Sequence, residues 1–207
     1  MTVSARSGFT LSFLFTTFSL LAQSADQMIA QGDTLLSQGR SKKALAKFDA
    51  AVKASPNAES YSARASAYYY MGRNNEFLSD VQEALRLDSL LPEANYQRAL
   101  IAHADAEDTA AVRYATRALG RAADLDLRQR ILIVRGEALA KLGKTSQAIK
   151  DLSKGTADRM NDLDALRTLA HLQDLEGDHE ASLASLEKLC KIAPYDIGNW
   201  SNRGFEL

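Results

Sequence analysis

The chain has 207 residues, of which 46% are hydrophobic and 25% charged, with a formal net charge of −1. That composition describes an ordinary folded domain and excludes disorder; its near-neutral balance gives no electrostatic reason to expect a nucleic-acid partner. With only 11 Gly and 3 Pro, the sequence favours long helices over short strands and turns.

The first two dozen residues differ from the rest. Arg6 is the only charge before Asp26, and Phe9 to Ala22 is an apolar run ending in the small-x-small sequence Ala22-Gln23-Ser24. A bilayer-spanning helix needs about 20 apolar residues, and this run is shorter. Residues 1–24 are therefore expected to be a secretory signal peptide, cleaved near Ala22 to Ala25, which implies a periplasmic or extracellular protein without a membrane span after cleavage. An exported chain would normally be stabilised by paired cysteines. Cys190 is alone, between Leu189 and Ile192 in an apolar helical stretch, and is expected to be a buried structural thiol.

From Gly32 onward one spacing recurs. Gly32, Leu35, Gly39, Ala44, Phe48, Ala51 and Pro56 fall at intervals that return downstream. Ala44, Phe48 and Ala51 follow the four- and three-residue steps of a buried helix face, and Gly39 separates two amphipathic segments. In the next copy the slots hold Tyr61, Ala65, Tyr68, Gly72, Val81 and Ala84, with Phe77 where a small residue is usual and Asp88-Ser89 at the closing corner. A third copy opens on Pro92, a good first helical residue, and runs through Ala99, Ala102, Ala106, Ala111, Ala115 and Ala118. Its second helix is rich in alanine, so it should pack closely and bury little area. Asp124 to Arg128 read as a longer connector. The fourth copy has Leu132, Gly136, Leu139, Gly143, Ala148 and Leu152, then Gly155 in a small-residue slot and Met160 in place of proline. The fifth has Leu163, Ala170, Gly177, Leu186, Leu189 and Pro194, with Ser182 for the usual alanine. Trp200, Gly204 and Leu207 then open a sixth copy of which only the first helix can form.

This pattern resembles the tetratricopeptide repeat, a helix–turn–helix unit of about 34 residues. The resemblance implies an all-α fold: a right-handed α-solenoid of stacked repeats at 25–57, 58–91, 92–128, 129–162 and 163–196, with a half repeat at 197–207 that is either a cap packed through Trp200 or a truncated sixth repeat. One hairpin cannot bury its own apolar face, so the units stack until a continuous core forms. With Ala25 as position one, the small residues at positions eight and twenty let the two helices of a unit approach, and the large residue at twenty-four fills the space between units. The resemblance also places each unit's first helix on the concave side.

Motifs for chemistry are missing. His103, His171 and His179 lack zinc-site spacing, and His171 with Asp174 reads as a surface pair on one helix face. No G-x-S-x-G elbow, P-loop or G-x-G-x-x-G occurs, so no catalytic residue, metal or cofactor is expected and the chain is read as no enzyme.

What the resemblance implies instead is a protein or extended-peptide partner on the concave face. By register that face holds Tyr69 and Tyr70, Tyr96, His103, Arg130, Ile133, Glu137, Arg167 and His171, with Asp174 beside the last, while Tyr68 belongs to the core. Aromatic side chains with a polar tip bury much area at low entropic cost, and Arg130 and Arg167 suit acidic groups on a ligand. Some family members clamp a chaperone's terminal carboxylate with Lys and Asn; the corresponding slots here hold Ile29, Asp33, Ala63, Glu93 and Gln97, which disfavours that role. The rival expectation is a structural module that self-associates through its C-terminal end and leaves the groove incidental.

Overall fold

The computed structural model describes residues 25–157 and 162–196. Among them are ten helices: α1 (25–37), α2 (Ser41–Ala54), α3 (Ala58–Tyr70), α4 (Asn74–Leu87), α5 (Pro92–Ala104), α6 (Asp108–Leu119), α7 (Leu125–Lys141), α8 (Thr145–Gly155), α9 (Leu163–Leu175) and α10 (His179–Ile192). They form five consecutive helical hairpins, so the all-α architecture expected from the spacing is the one observed. The signal peptide, Met160 and the half repeat bearing Trp200 lie outside the described residues.

Each hairpin turns at its fifteenth position. Gly39, Gly72, Gly143 and Gly177 have φ between +67° and +78°, the left-handed region that glycine enters without steric penalty. Two backbone bonds close each corner. In the first, Gly39 N–H donates to the Leu36 carbonyl and Arg40 N–H to the Leu35 carbonyl (2.8 and 2.9 Å), the Schellman arrangement that satisfies carbonyls orphaned at a helix end. The same pair recurs at Gly72/Arg73, Gly143/Lys144 and Gly177/Asp178. The third corner has identical bonds at Ala106/Glu107, but its left-handed residue is Ala106, at φ +59°.

The entries to the first helices are capped by side chains. Asn57 and Ser60 form a reciprocal capping box at α3. At the corner before α5, Leu90 N–H donates to Asp88 Oδ1 (2.8 Å), so an Asx turn does the work of the missing proline. Asp124 accepts from Leu127 N–H (2.8 Å) and starts α7 there. The stretch 124–128 is therefore the cap and first turn of α7, a correction to the connector expected from the sequence, because a capping aspartate satisfies a donor that a loop would leave to water.

The chain divides into two compact units, at Ala94/Asn95 within α5. In the first, Ala44, Phe48 and Ala67 are buried together, with Ile29, Leu35 and Ala63 against them. Phe48 lies on Gly32, where any Cβ would collide with the ring, and it also touches α3. In the second unit Leu152 covers Gly136, where a Cβ would come within 2.7 Å of Leu152 Cγ. The large residue at position twenty-four thus fills the hollow over glycine eight of its own unit as well as the junction with the next. Leu152 joins Ile133, Leu139, Ala165 and Leu169 in one cluster; Leu166, Ala170, Leu186 and Leu189 form another. Cys190 is buried, as expected, and is the free thiol among the described residues.

Candidate functional site

The expected site residues fall into local groups in the two units. In the first unit Tyr69 and Tyr70 end α3 and are 49% and 67% exposed. Their rings meet edge to face at 5.5 Å, and Tyr69 also leans on Phe77 at 5.4 Å. Phe77, large where the register favours a small residue, thereby props the pair outward. Tyr68 is half-buried rather than a core residue. The guanidinium groups of Arg73 and Arg64 lie 4.7 and 5.8 Å from its ring centre, so it supports two cations instead of filling the interior. Burial raises the pKa of its hydroxyl.

In the second unit the structure joins Tyr96 on α5 to Arg130 on α7, whose guanidinium sits 5.0 Å from the ring centre and is held by Asp126 at 3.0 Å. His103 is set between two carboxylates: Nδ1 lies 2.7 Å from Asp108 Oδ1 and Nε2 lies 3.8 Å from Glu137 Oε2. Burial pushes the Glu137 carboxyl above the usual range, and Asp162 pushes it further, against the opposing pull of His103. Arg167 bonds Asp164 at 2.9 Å and Asp196 at 2.6 Å. Both arginines expected to greet an acidic ligand therefore already hold carboxylates of this chain. His171 is exposed on α9. Its expected neighbour Asp174 turns to His179 instead (2.9 Å), because the α9–α10 corner brings that ring closer than the three-residue step along the helix. Ile133 is a further correction: it is 6% exposed, packed under Gly155 and into the α7–α9 cluster, and has no place on a ligand face.

Two family models, each described as Tetratricopeptide repeat, match the sequence at 29–89 and at 163–196. Those two stretches are similar to tetratricopeptide repeats. Solved structures similar to the chain include PilF of Pseudomonas aeruginosa (TM-score 0.69, 14% identity, 90% of each chain covered). PilW, a widely conserved type IV pilus biogenesis factor, superposes with a TM-score of 0.66 at 18% identity, covering 89% of this chain and 90% of PilW. YrrB, a tetratricopeptide protein with an unusual peptide-binding site, gives 0.59 at 19% identity, with 97% and 100% covered. At such identities the likeness concerns the fold. In sequence, 79 residues are 35% identical to a tetratricopeptide repeat and J domain-containing co-chaperone, DNJ1, of Cryptococcus neoformans. That stretch is 38% of this chain and only 15% of the co-chaperone.

Within the repeats, the register locates one exposed apolar residue that the groove reading missed. Leu175 occupies position thirteen of the fifth repeat, as Tyr70 does in the second, and is 65% exposed. Its signal was present in the sequence, since an unbranched helical register puts the same position on the same face of each first helix.

Proposed function

We propose that this chain is a non-enzymatic scaffold for protein–protein interaction, exported behind its N-terminal leader, whose first-helix faces hold a protein or an extended peptide. Tetratricopeptide repeats support the general role. The observation that carries the site is the Tyr69–Tyr70 pair: two large aromatic rings in mutual contact at the end of α3, about half and two thirds exposed, in a chain whose other described rings, the exposed Tyr195 apart, are packed or stacked on arginines. Aromatic rings of this kind dominate interface energies when a partner covers them. Tyr96, His103, Arg130, Arg167 and His171 extend the proposal into the second unit, where the arginines act as positioned, already neutralised planar surfaces. The pilus biogenesis factor and the peptide-binding tetratricopeptide protein among the structural likenesses are compatible with such a role and leave the partner open.

The test is capture of partners from the native cell envelope, followed by affinity measurement on the recovered partner. Tyr70→Ala and Tyr69→Ala should each weaken it by about 1–3 kcal/mol, tenfold or so, while the melting temperature moves little. Tyr68→Ala should instead lower the melting temperature, by releasing Arg64 and Arg73, with no separate effect on affinity. Equal affinity for wild type and Tyr70→Ala would remove the aromatic pair from the site.

A further inference from the structure

Position seven of the second, third and fourth repeats is arginine: Arg64, Arg98 and Arg135. In two of them the structure shows what it is for. Arg64 grips Asp80 at position twenty-three with two bonds (2.7 and 2.8 Å) and reaches Asp49 of the preceding repeat (3.1 Å). Arg135 grips Asp151, also at position twenty-three, at 2.6 and 3.0 Å, and reaches Thr116 of the preceding repeat (3.2 Å). Asp80 and Asp151 are both 5% exposed, so each fork closes a mostly buried bidentate pair between the two helices of its unit.

The third repeat lacks that carboxylate. Its position twenty-three is Tyr114, and Arg98 stacks on the ring at 5.3 Å; its Nη1 is shut from solvent without a hydrogen-bond partner. Two more guanidinium groups crowd the same ring, Arg113 at 5.1 Å and Arg117 at 5.9 Å, both exposed on α6. Among the described residues these three arginines make no ion pair, nor do Arg40, Arg121 and Arg128, whereas Arg64, Arg73, Arg86, Arg130, Arg135 and Arg167 each hold a carboxylate. One helix face over from Arg113 and Arg117, Val112 and Thr116 wall a surface pocket completed by Lys150 and the paired Arg135 and Asp151. Three cations around one ring repel one another, and an inner charge without its counter-ion leaves its field open toward α6.

The geometry points to a second binding site here, on the second helix of the third repeat, for an acidic segment of a partner protein. The partner's carboxylates supply from outside the negative charge that Asp80 and Asp151 supply within the neighbouring repeats. Arg113 and Arg117 make the direct bonds, and Arg98 and Tyr114 form the floor behind them. This site is independent of the Tyr69–Tyr70 pair.

The experiment uses the full chain and fluorescently labelled hexaglutamate, read by anisotropy at low salt, with hexaglutamine as the uncharged control. Hexaglutamate should bind and hexaglutamine should not, and the double variant Arg113→Ala/Arg117→Ala, altered only at exposed positions, should weaken binding about tenfold or more. Tyr114→Asp, which installs the internal carboxylate of the other repeats, should weaken it as much and raise the melting temperature. Tyr114→Asn, which removes the ring without adding charge, should keep most of the binding. Tyr69→Ala should leave it unchanged. Hexaglutamate binding that equals hexaglutamine, or that survives the double arginine substitution, overturns the proposal. So does equal loss in Tyr114→Asp and Tyr114→Asn, or tighter binding of a single-stranded oligonucleotide of the same charge.

Discussion

In the fourth repeat Leu152 lies over Gly136, whereas in the third the same two positions are Ala115 and Ala99, each fully buried. Both pairs let two helices approach closely. The first does so by a knob in a hollow, the second by two small side chains, with Tyr96, Leu100, Tyr114 and Leu119 supplying bulk around them. Elsewhere the third repeat departs in the same way. It turns on Ala106 where the fourth turns on Gly143, and it stacks Arg98 on Tyr114 where the fourth bonds Arg135 to Asp151. At these positions the fourth repeat follows the pattern, and the third carries strain and uncompensated charge while keeping the same fold. A repeat that departs from its neighbours' pattern without losing its packing is the place to look for a role other than stability.

The largest effect that separates the two should come from the interhelical pair. Leu152→Ala should cost about 2–5 kcal/mol, the range for emptying a buried leucine site, because Gly136 leaves nothing to fill the space. Placing the leucine in the third repeat, as Ala115→Leu, should cost about 1–3 kcal/mol by overpacking. Adding Ala99→Gly should recover part of that loss. Urea denaturation of the single and double variants checks it, and additivity of the two substitutions would show that the positions are not paired as in the fourth repeat.

A smaller, opposite-signed pair tests the corners. Gly143→Ala should destabilise by about 1–2 kcal/mol, the steric penalty of a Cβ in left-handed backbone. Ala106→Gly should stabilise by about 0.5–1 kcal/mol, because relief of that penalty outweighs the extra chain entropy of glycine. Thermal melts of both variants decide it, and a loss of stability in Ala106→Gly would mean the third corner is held for another reason.

The smallest effect is the dependence on pH at Glu137. Its folded carboxyl titrates above the ordinary range, chiefly through burial, so the folded state holds a proton that the unfolded state has released. Its contribution to stability is therefore greatest in acid and declines as pH rises from the ordinary carboxyl pKa, about 4.3, to the raised folded value. Glu137→Gln should flatten that part of the stability–pH profile and be relatively more stable than wild type near neutrality. An unchanged profile would show that His103, at 3.8 Å, already balances the charge.

The sequence by itself determined the helices, their pairing into hairpins and the identity of most core positions. Glycine at position fifteen in four repeats, alanine or serine at twenty in four and a large residue at twenty-four in four are local and periodic preferences, and periodic preferences are written along the chain. The exposed placement of Tyr69 and Tyr70 was legible for the same reason. Only the tertiary structure decided which charges are already spoken for. Arg130 and Arg167 look free by register, yet Asp126, Asp164 and Asp196 hold them, while Arg98, Arg113 and Arg117 surround the Tyr114 ring and, among the described residues, hold no carboxylate. It also decided that Ile133 is core, since Gly155 on the next helix opens the space the side chain fills. Those outcomes depend on which side chains of different helices meet at a few ångströms, and a long flexible charged side chain has many partners within reach until packing selects one.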